Sequence, residues 1–555
     1  MEEQFTLTAS VAPDAMSKVT RLFNASLDDI VTELLQNARR SGATKVWFQQ
    51  YEHSELGEVI AVSDNGPGLE DPASLFQLGR SGWDADTCSA EDAAGMGFFS
   101  LAGRRTRIIA ENPKGDGSNW VLDVSPKAFS GEEPIEGIEE LDEQTGTTIL
   151  FAAKPGENIV PAANAAAKYC SIPVYVQCEE VERKDYLNGA VHIETWKGIR
   201  IGVFPGTSFR GHVHHNTNFH GLTLNIPLPS LSQSYHDQLH IRLDVEACRD
   251  LKLVLPARKE VVQDAFYDTL RDEIERTLFK VVAKAATHSL SFKDHQRAAA
   301  LGIKLSSAVK QLRPFSPSHA DRDSNDWPAP IEVKNECFLF SGADEAVEEQ
   351  NFAWAVSKDA SDLAVYEPNS AFAGYDWYDA IAKIEVTGYR WGDGETSSEC
   401  DIEDVPVIKD RPDRLWIIGT CHQGESATPW SLSTDFILFA PADAHIDEAA
   451  PCLTKSAKLT VDDLVDFMER ALFSPSTDCD ADSYDRQRQW FTDEAEDTAI
   501  AYLQTPSDVH RNQVERVIRR ELYWILRPTS EISISIRGSS VDIDGLDTAF
   551  QTKAA

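Results

Sequence analysis

Between Ser26 and Gly103 the spacing of apolar residues changes more than once. Leu27, Ile30, Val31, Leu34, Leu35 and Ala38 recur at helical spacing. Ser26 stands before them as an N-cap, Asp28 and Asp29 fall in the first turn, and Gly42 stops the run. Apolar runs at Lys45–Tyr51 and Val59–Val62 predict two strands. The second feeds directly into Asp64-Asn65-Gly66-Pro67-Gly68, a tight turn. From Leu78 to Ala94 the residues become small, polar and acidic, which predicts a mobile loop. Gly95-Met96-Gly97 closes that loop and opens an apolar helix carrying Phe98, Phe99, Leu101 and Ala102. Ahead of Ser26, a short strand-like run (Phe5, Leu7) and a helix over Asp14–Phe23 predict an N-terminal arm, packed on its own chain or exchanged in a dimer.

Strand-like runs continue at Ile172–Val176, Ile199–Phe204, Leu222–Ile226 and His240–Val245, and Leu251–Lys280 runs into a long amphipathic helix. Residues 313–334, rich in Pro, Ser and Asp, read as a linker. Beyond it, Cys337–Phe340, Leu415–Ile418 and Phe436–Phe439 predict short strands. Val461–Phe473, Tyr484–Leu503 and Val509–Leu526 predict helices, and the tail from Glu531 to Ile543 alternates like a strand. The expected organisation is an α/β domain over 1–154, a second α/β domain over 155–312 and a linker over 313–334. A mixed α/β region over 335–460 and a mainly helical region over 461–555 complete it. No repeat of 20–50 residues is visible.

Bulk properties narrow the classes. A chain of 555 residues exceeds one ordinary core. A net charge of -38 argues against nucleic acid as the main partner, since phosphate binding needs clustered Lys and Arg. No apolar run of about 18 residues predicts a membrane span, and the N-terminus lacks a signal-peptide pattern. Nine scattered cysteines without a C-x-x-C pair fit reduced thiols in a cytoplasmic protein.

Candidate chemistry gathers in the first hundred residues. Glu33 and Asn37, four apart, share one side of the predicted helix. Asp64 at a strand end can accept a hydrogen bond from an exocyclic amine, or be a plain Asp-Asn-Gly turn. Glycines opening a helix leave N–H groups free for a phosphate. Each signal alone is ordinary. His212, His214, His215 and His220 cluster, but without interspersed Cys or carboxylate they read as a solvated loop.

Order gives the three signals their force. E-L-L-Q-N-A (33–38), S-D-N-G-P-G-L (63–69) and A-A-G-M-G-F-F-S-L (93–101) together resemble the GHKL superfamily of DNA gyrase, heat-shock chaperones, histidine kinases and mismatch-repair clamp proteins. Within it, the resemblance is closest to the ninety-kilodalton heat-shock chaperones, over about residues 1–290. Their helix reads roughly E-L-I-S-N-A, their lid K-S-G-T against R-S-G-W at 80–83, and its end G-V-G-F-Y-S against G-M-G-F-F-S at 95–100. Gly146-Thr147-Thr148-Ile149 resembles a later G-T-K-hydrophobic strand, and L-K-L-V-L-P-A-R-K-E (251–260) a middle-domain loop that reaches the terminal phosphate.

The resemblance implies a Bergerat-type α/β sandwich with a transducer-like second domain, and an ATPase that uses ATP and Mg²⁺. Glu33 would activate water, Asn37 would hold Mg²⁺, and Asp64 supported by Thr147 would read the adenine amine. Arg258 or Lys259 would neutralise the γ-phosphate. The other nucleotide positions implied are Gly66, Gly68, Ser81, Gly82, Gly95, Met96, Gly97, Phe98 and Phe99. Histidine kinases commonly carry Asn where this chain has Glu33, which favours transfer to water over transfer to a protein histidine. The family often places Asp three residues after the helix asparagine; here that position is Arg40. In the family, lid closure accompanies N-terminal dimerisation, implying a nucleotide-dependent homodimer. A chaperone-like action on a protein partner, through the unmatched residues 335–555, is the first expectation. A nucleic-acid clamp and a regulatory ATP-sensing module are the alternatives.

Overall fold

The computed structural model describes residues 26–76, 97–206, 215–254, 260–319, 327–503 and a terminal hairpin at 533–544, apart from brief gaps of one to three residues and a few isolated positions near 514–518. The chain divides into two compact units, 1–308 and 309–555. Both are mixed α/β. The expected arm over 1–25 and most of the helix over 509–526 lie outside the described residues.

The first unit opens with α1 (Leu27–Arg40). Its N-terminus is closed by a capping box: Ser26 Oγ accepts from the Asp29 amide at 3.2 Å, while the Ser26 amide donates to the Asp29 carboxylate at 3.3 Å. Such a cap contributes about 1 kcal/mol. Ile30, Val31, Leu34, Leu35 and Ala38 form the buried stripe that the periodicity predicts. At the other end the chain turns through Gly42 at φ +86°, a conformation that suits glycine.

Eight strands make the first sheet: β1 (Val46–His53), β2 (Gly57–Asp64), β3 (Thr106–Glu111), β4 (Ser118–Val124), β5 (Glu136–Leu141), β6 (Thr147–Ala152), β7 (Val174–Val176) and β8 (Glu179–Glu180). Their order is β5-β4-β3-β6-β2-β1-β7-β8. Neighbours pair antiparallel except β1 with β7, where Val46 and Phe48 run parallel to Val174 and Val176. Strand alternation sets two faces. Ile60, Val62 and Phe151 join the large core with α1 and α2 (Ile159–Ala167), whereas Val59, Ala61 and Leu150 form a small cluster on the other side. The first sheet therefore extends well past the expected boundary at 154. The reason is β7, whose buried valines complete the core that α2 covers.

The second sheet comprises β9 (His192–Trp196), β10 (Ile199–Pro205), β11 (Thr217–Phe219), β12 (Leu222–Leu224), β13 (Leu231–Ser232) and β14 (Gln238–Val245). Its order is β12-β11-β14-β10-β9, with β13 on β14. It packs on α3 (Ala265–Val282) through Tyr267, Leu270, Ile274 and Leu278. Asp264 caps α3, accepting from the Phe266 and Tyr267 amides at 3.0 Å.

In the second unit, Cys337–Phe340 runs parallel to Ala364–Tyr366 and to Ala382–Asp393, with the helix Ala346–Asp359 as the first crossover. Arg414–Gln423 and Ser426–Thr434 extend the sheet antiparallel. The expected linker over 313–334 is partly structural. Gln311–Leu312 pairs with Ile331–Glu332, and Phe315 packs against Phe340 at a tilt and against Phe352 edge-on. Apolar Phe315 inside a Pro- and Ser-rich stretch is the residue that composition concealed. Helices at Val461–Leu472 and Tyr484–Leu503 match expectation, and the alternating tail is a hairpin of Ser533–Arg537 with Ser540–Asp544.

Candidate active site

Asp64 is the last residue of β2 and lies directly opposite Thr147 on β6. It shares the face of Ile60 and Val62, which is the face that α1 covers. A short polar side chain at this point ends the apolar run and sits where the core opens. Asp64 Oδ1 accepts from the Gly66 amide at 2.8 Å, and the Thr147 amide also donates to the carboxylate. Burial outweighs these donors and pushes the carboxyl from 3.8 up to about 6. Thr147 thus supports Asp64 through its backbone; the hydroxyl that faces another hydroxyl is that of its neighbour, with Thr148 Oγ1 2.9 Å from Ser63 Oγ.

The turn after Asp64 is held from three directions. Asn65 Oδ1 accepts from the Thr44 and Lys45 amides at 2.8 and 2.9 Å, tying the turn to the loop after α1. Gly146, at φ +79°, lies so close that a Cβ there would come 1.9 Å from the Asp64 carbonyl oxygen. Gly68, at φ +75°, lies equally close to Glu111, whose carbonyl oxygen accepts from the Leu69 amide at 2.8 Å. Glu111 Oε2 in turn accepts from the Gly146 amide at 3.1 Å. A Cβ on Gly66 would stand 2.8 Å from both Asp64 Oδ1 and Ser41 Oγ, so the end of α1 abuts this turn. Sequence reasoning missed Ser41, Asn65 and Glu111. Asn65 stood inside the quoted turn motif without a role, and Glu111, a charge ending the alternating run Thr106–Glu111, left a weaker signal.

On α1, Glu33 and Asn37 stand beside each other as their spacing requires, and Arg40 closes the group. Arg40 Nη1 lies 3.7 Å from Glu33 Oε1 and 3.3 Å from Asn37 Oδ1. The Arg40 side chain is only 5% exposed and that of Glu33 19%. About two turns of helix therefore bring a guanidinium against both a carboxylate and an amide oxygen. Magnesium prefers hard oxygen ligands, and Asn37 Oδ1 is of that kind. In this arrangement, however, that oxygen already accepts from a buried cation, so the residues do not fit a divalent ion at Asn37 as they stand. Among the described residues, no cluster of three or more His, Cys, Asp or Glu is arranged to hold a metal.

The glycine-opened helix is a five-residue 3-10 turn, Gly97–Leu101. Phe98 and Phe99 are core residues, 6% and 1% exposed, packed against Phe129. Their aromatic rings serve the core, which leaves only their backbone for a ligand. Ser81, Gly82, Gly95, Met96, Arg258 and Lys259 lie outside the described residues, as do His212 and His214.

Two further features bear on the site. Gln36, 4% exposed, donates from Nε2 to the His220 carbonyl oxygen at 2.7 Å. This bond joins α1 to the β11–β12 turn of the second sheet, where His220 takes φ +54°. In the second unit, a cavity of about 880 Å³ opens at the start of the parallel strands, lined by Lys310, Lys334, Asp359, Trp377 and Cys421 among others.

No family model matches the chain, and no curated protein matches it. Among solved structures, the chain is similar to the "Crystal Structure of N terminal domain of a DNA repair protein", at 15% identity over 47% of this chain and 99% of that one, with a TM-score of 0.28. A likeness at that level carries no weight for fold or function. Among the described residues, no helix is long and apolar enough to cross a membrane.

Proposed function

We propose that the first unit is a GHKL-type ATPase with a Bergerat-type sandwich and a transducer-like second sheet, acting as a nucleotide-gated switch. The observation that carries this reading is the pairing of Asp64 with Thr147 at the open end of the core, with Glu33 and Asn37 on the helix that covers the same face. An acceptor carboxylate shielded from water selects an amine-bearing base, because a buried unpaired acceptor is costly. Glu33 would take the proton of a water attacking the γ-phosphorus, while the bond to the bridging β–γ oxygen breaks. Arg258 or Lys259 would neutralise the charge developing at the γ-phosphate. The resemblance and the acidic charge of -38 favour a protein partner over nucleic acid, with residues 335–555 as the platform. The bond from Gln36 to His220 offers a route from the nucleotide helix to the second sheet.

The test is hydrolysis and binding in one preparation. Glu33→Ala is expected to bind ATP and to lose phosphate release, while Asp64→Asn loses both. Normal turnover by Glu33→Ala would sink the assignment.

A further inference from the structure

Arg40 is the residue of α1 that the family pattern leaves unexplained, and its position gives it a role. Its guanidinium is buried, and a buried guanidinium needs acceptors for its planar fork of donors. Two of its acceptors are Glu33 Oε1 and Asn37 Oδ1, the atoms assigned to water activation and to the metal. With Arg40 in place, the Glu33 carboxylate faces a fixed positive charge at 3.7 Å. An Asp in its place would instead leave two carboxylates on this edge of the helix. A divalent ion drawn to the Asn37 oxygen would meet the guanidinium that donates to it at 3.3 Å. Like charges at that range inside a shielded pocket repel strongly.

We propose that Arg40 is the resident cation of this pocket: it holds the place at the Asn37 carbonyl that a divalent ion would take, so nucleotide phosphates bind here with little dependence on magnesium. This rests on the nucleotide reading of the pocket and makes it more specific. A purely structural alternative is that Arg40, in the last turn of α1, complements the helix dipole. That role would affect folding, and it would leave the magnesium dependence of binding unchanged.

The test is calorimetric titration of the full chain with adenylyl imidodiphosphate, in excess Mg²⁺ and in excess EDTA. For the unaltered protein, Kd is expected to differ by less than about threefold between the two buffers. For Arg40→Gln, the Mg²⁺ buffer is expected to bind about tenfold or more tightly than EDTA, because the Asn37 oxygen is freed and the fixed charge is gone. Arg40→Lys keeps the charge without the fork and is expected to fall between; it replaces Arg40→Gln if thermal melts show that variant unfolded. An unaltered protein that needs Mg²⁺ as strongly as Arg40→Gln overturns the proposal, as does an unchanged ratio in both variants. If the folded, unaltered protein binds no adenine nucleotide in either buffer, the nucleotide reading itself fails and the proposal falls with it.

Discussion

The carboxyl of Asp64 gives the sharpest quantitative expectation. Burial holds it near 6 in the folded chain, against 3.8 for an ordinary Asp. On the proposed nucleotide reading an adenine amine donates a hydrogen bond to Asp64, so the ionised carboxylate would be the form that binds it. At about pH 5, one unit below that value, roughly one Asp64 in eleven is ionised. Affinity for adenosine is therefore expected to fall about tenfold between about pH 7.5 and pH 5. Adenosine is the suitable probe because it has no phosphate to titrate in this range; ligand-observed NMR can follow its weak binding. Stability moves the other way. Between 3.8 and about 6 the native state keeps a proton that the unfolded chain has released. Stability is thus greatest below 3.8 for this group and declines as pH rises through about 6, by roughly 3 kcal/mol in all. Asp64→Asn should remove that slope from urea melts across the same window. Adenosine affinity that stays flat down to about pH 5, with melts that keep the same slope in Asp64→Asn, would refute the argument.

Three other substitutions test the scaffold. Gly146→Ala puts a Cβ against the Asp64 carbonyl at a positive φ, so a loss of at least about 2 kcal/mol in denaturant melts is expected. Gly103→Ala, at φ +90° with open space around it, should cost only about 1 kcal/mol; equal losses would remove the steric argument. Gln36→Ala leaves the His220 carbonyl without its 2.7 Å donor, and a loss of about 1–3 kcal/mol is expected by the same melts.

Much of α1 was legible because one stretch carries a cap, a stripe of period 3.6 and a glycine stop, all agreeing. Strands such as Ile199–Pro205 and Gln238–Val245 were legible because they are dense in buried aliphatics, whereas Thr106–Glu111, Ser118–Val124 and Glu136–Leu141 were not predicted. Boundaries were not legible where partners are distant. The three residues of β7 count as part of the first sheet only because Val46 and Phe48 lie beside them. Phe315 likewise joins a core only through Phe340 and Phe352. The rings of Phe98 and Phe99 pack against Phe129, a neighbour that their motif position does not reveal.

The sequence by itself determined the local pieces: the amphipathic helix with Glu33 and Asn37 four apart, the strand ending at Asp64 and the glycines of its turn. Those depend on periodicity and backbone freedom, which are properties of neighbouring residues. Tertiary structure alone decided that Glu111 braces Gly146 and that Gln36 reaches His220. It also decided how deeply Arg40 lies between Glu33 and Asn37. A charged residue one turn along a helix can point to water or inward, and only the packing around α1 excludes the water that would otherwise solvate it.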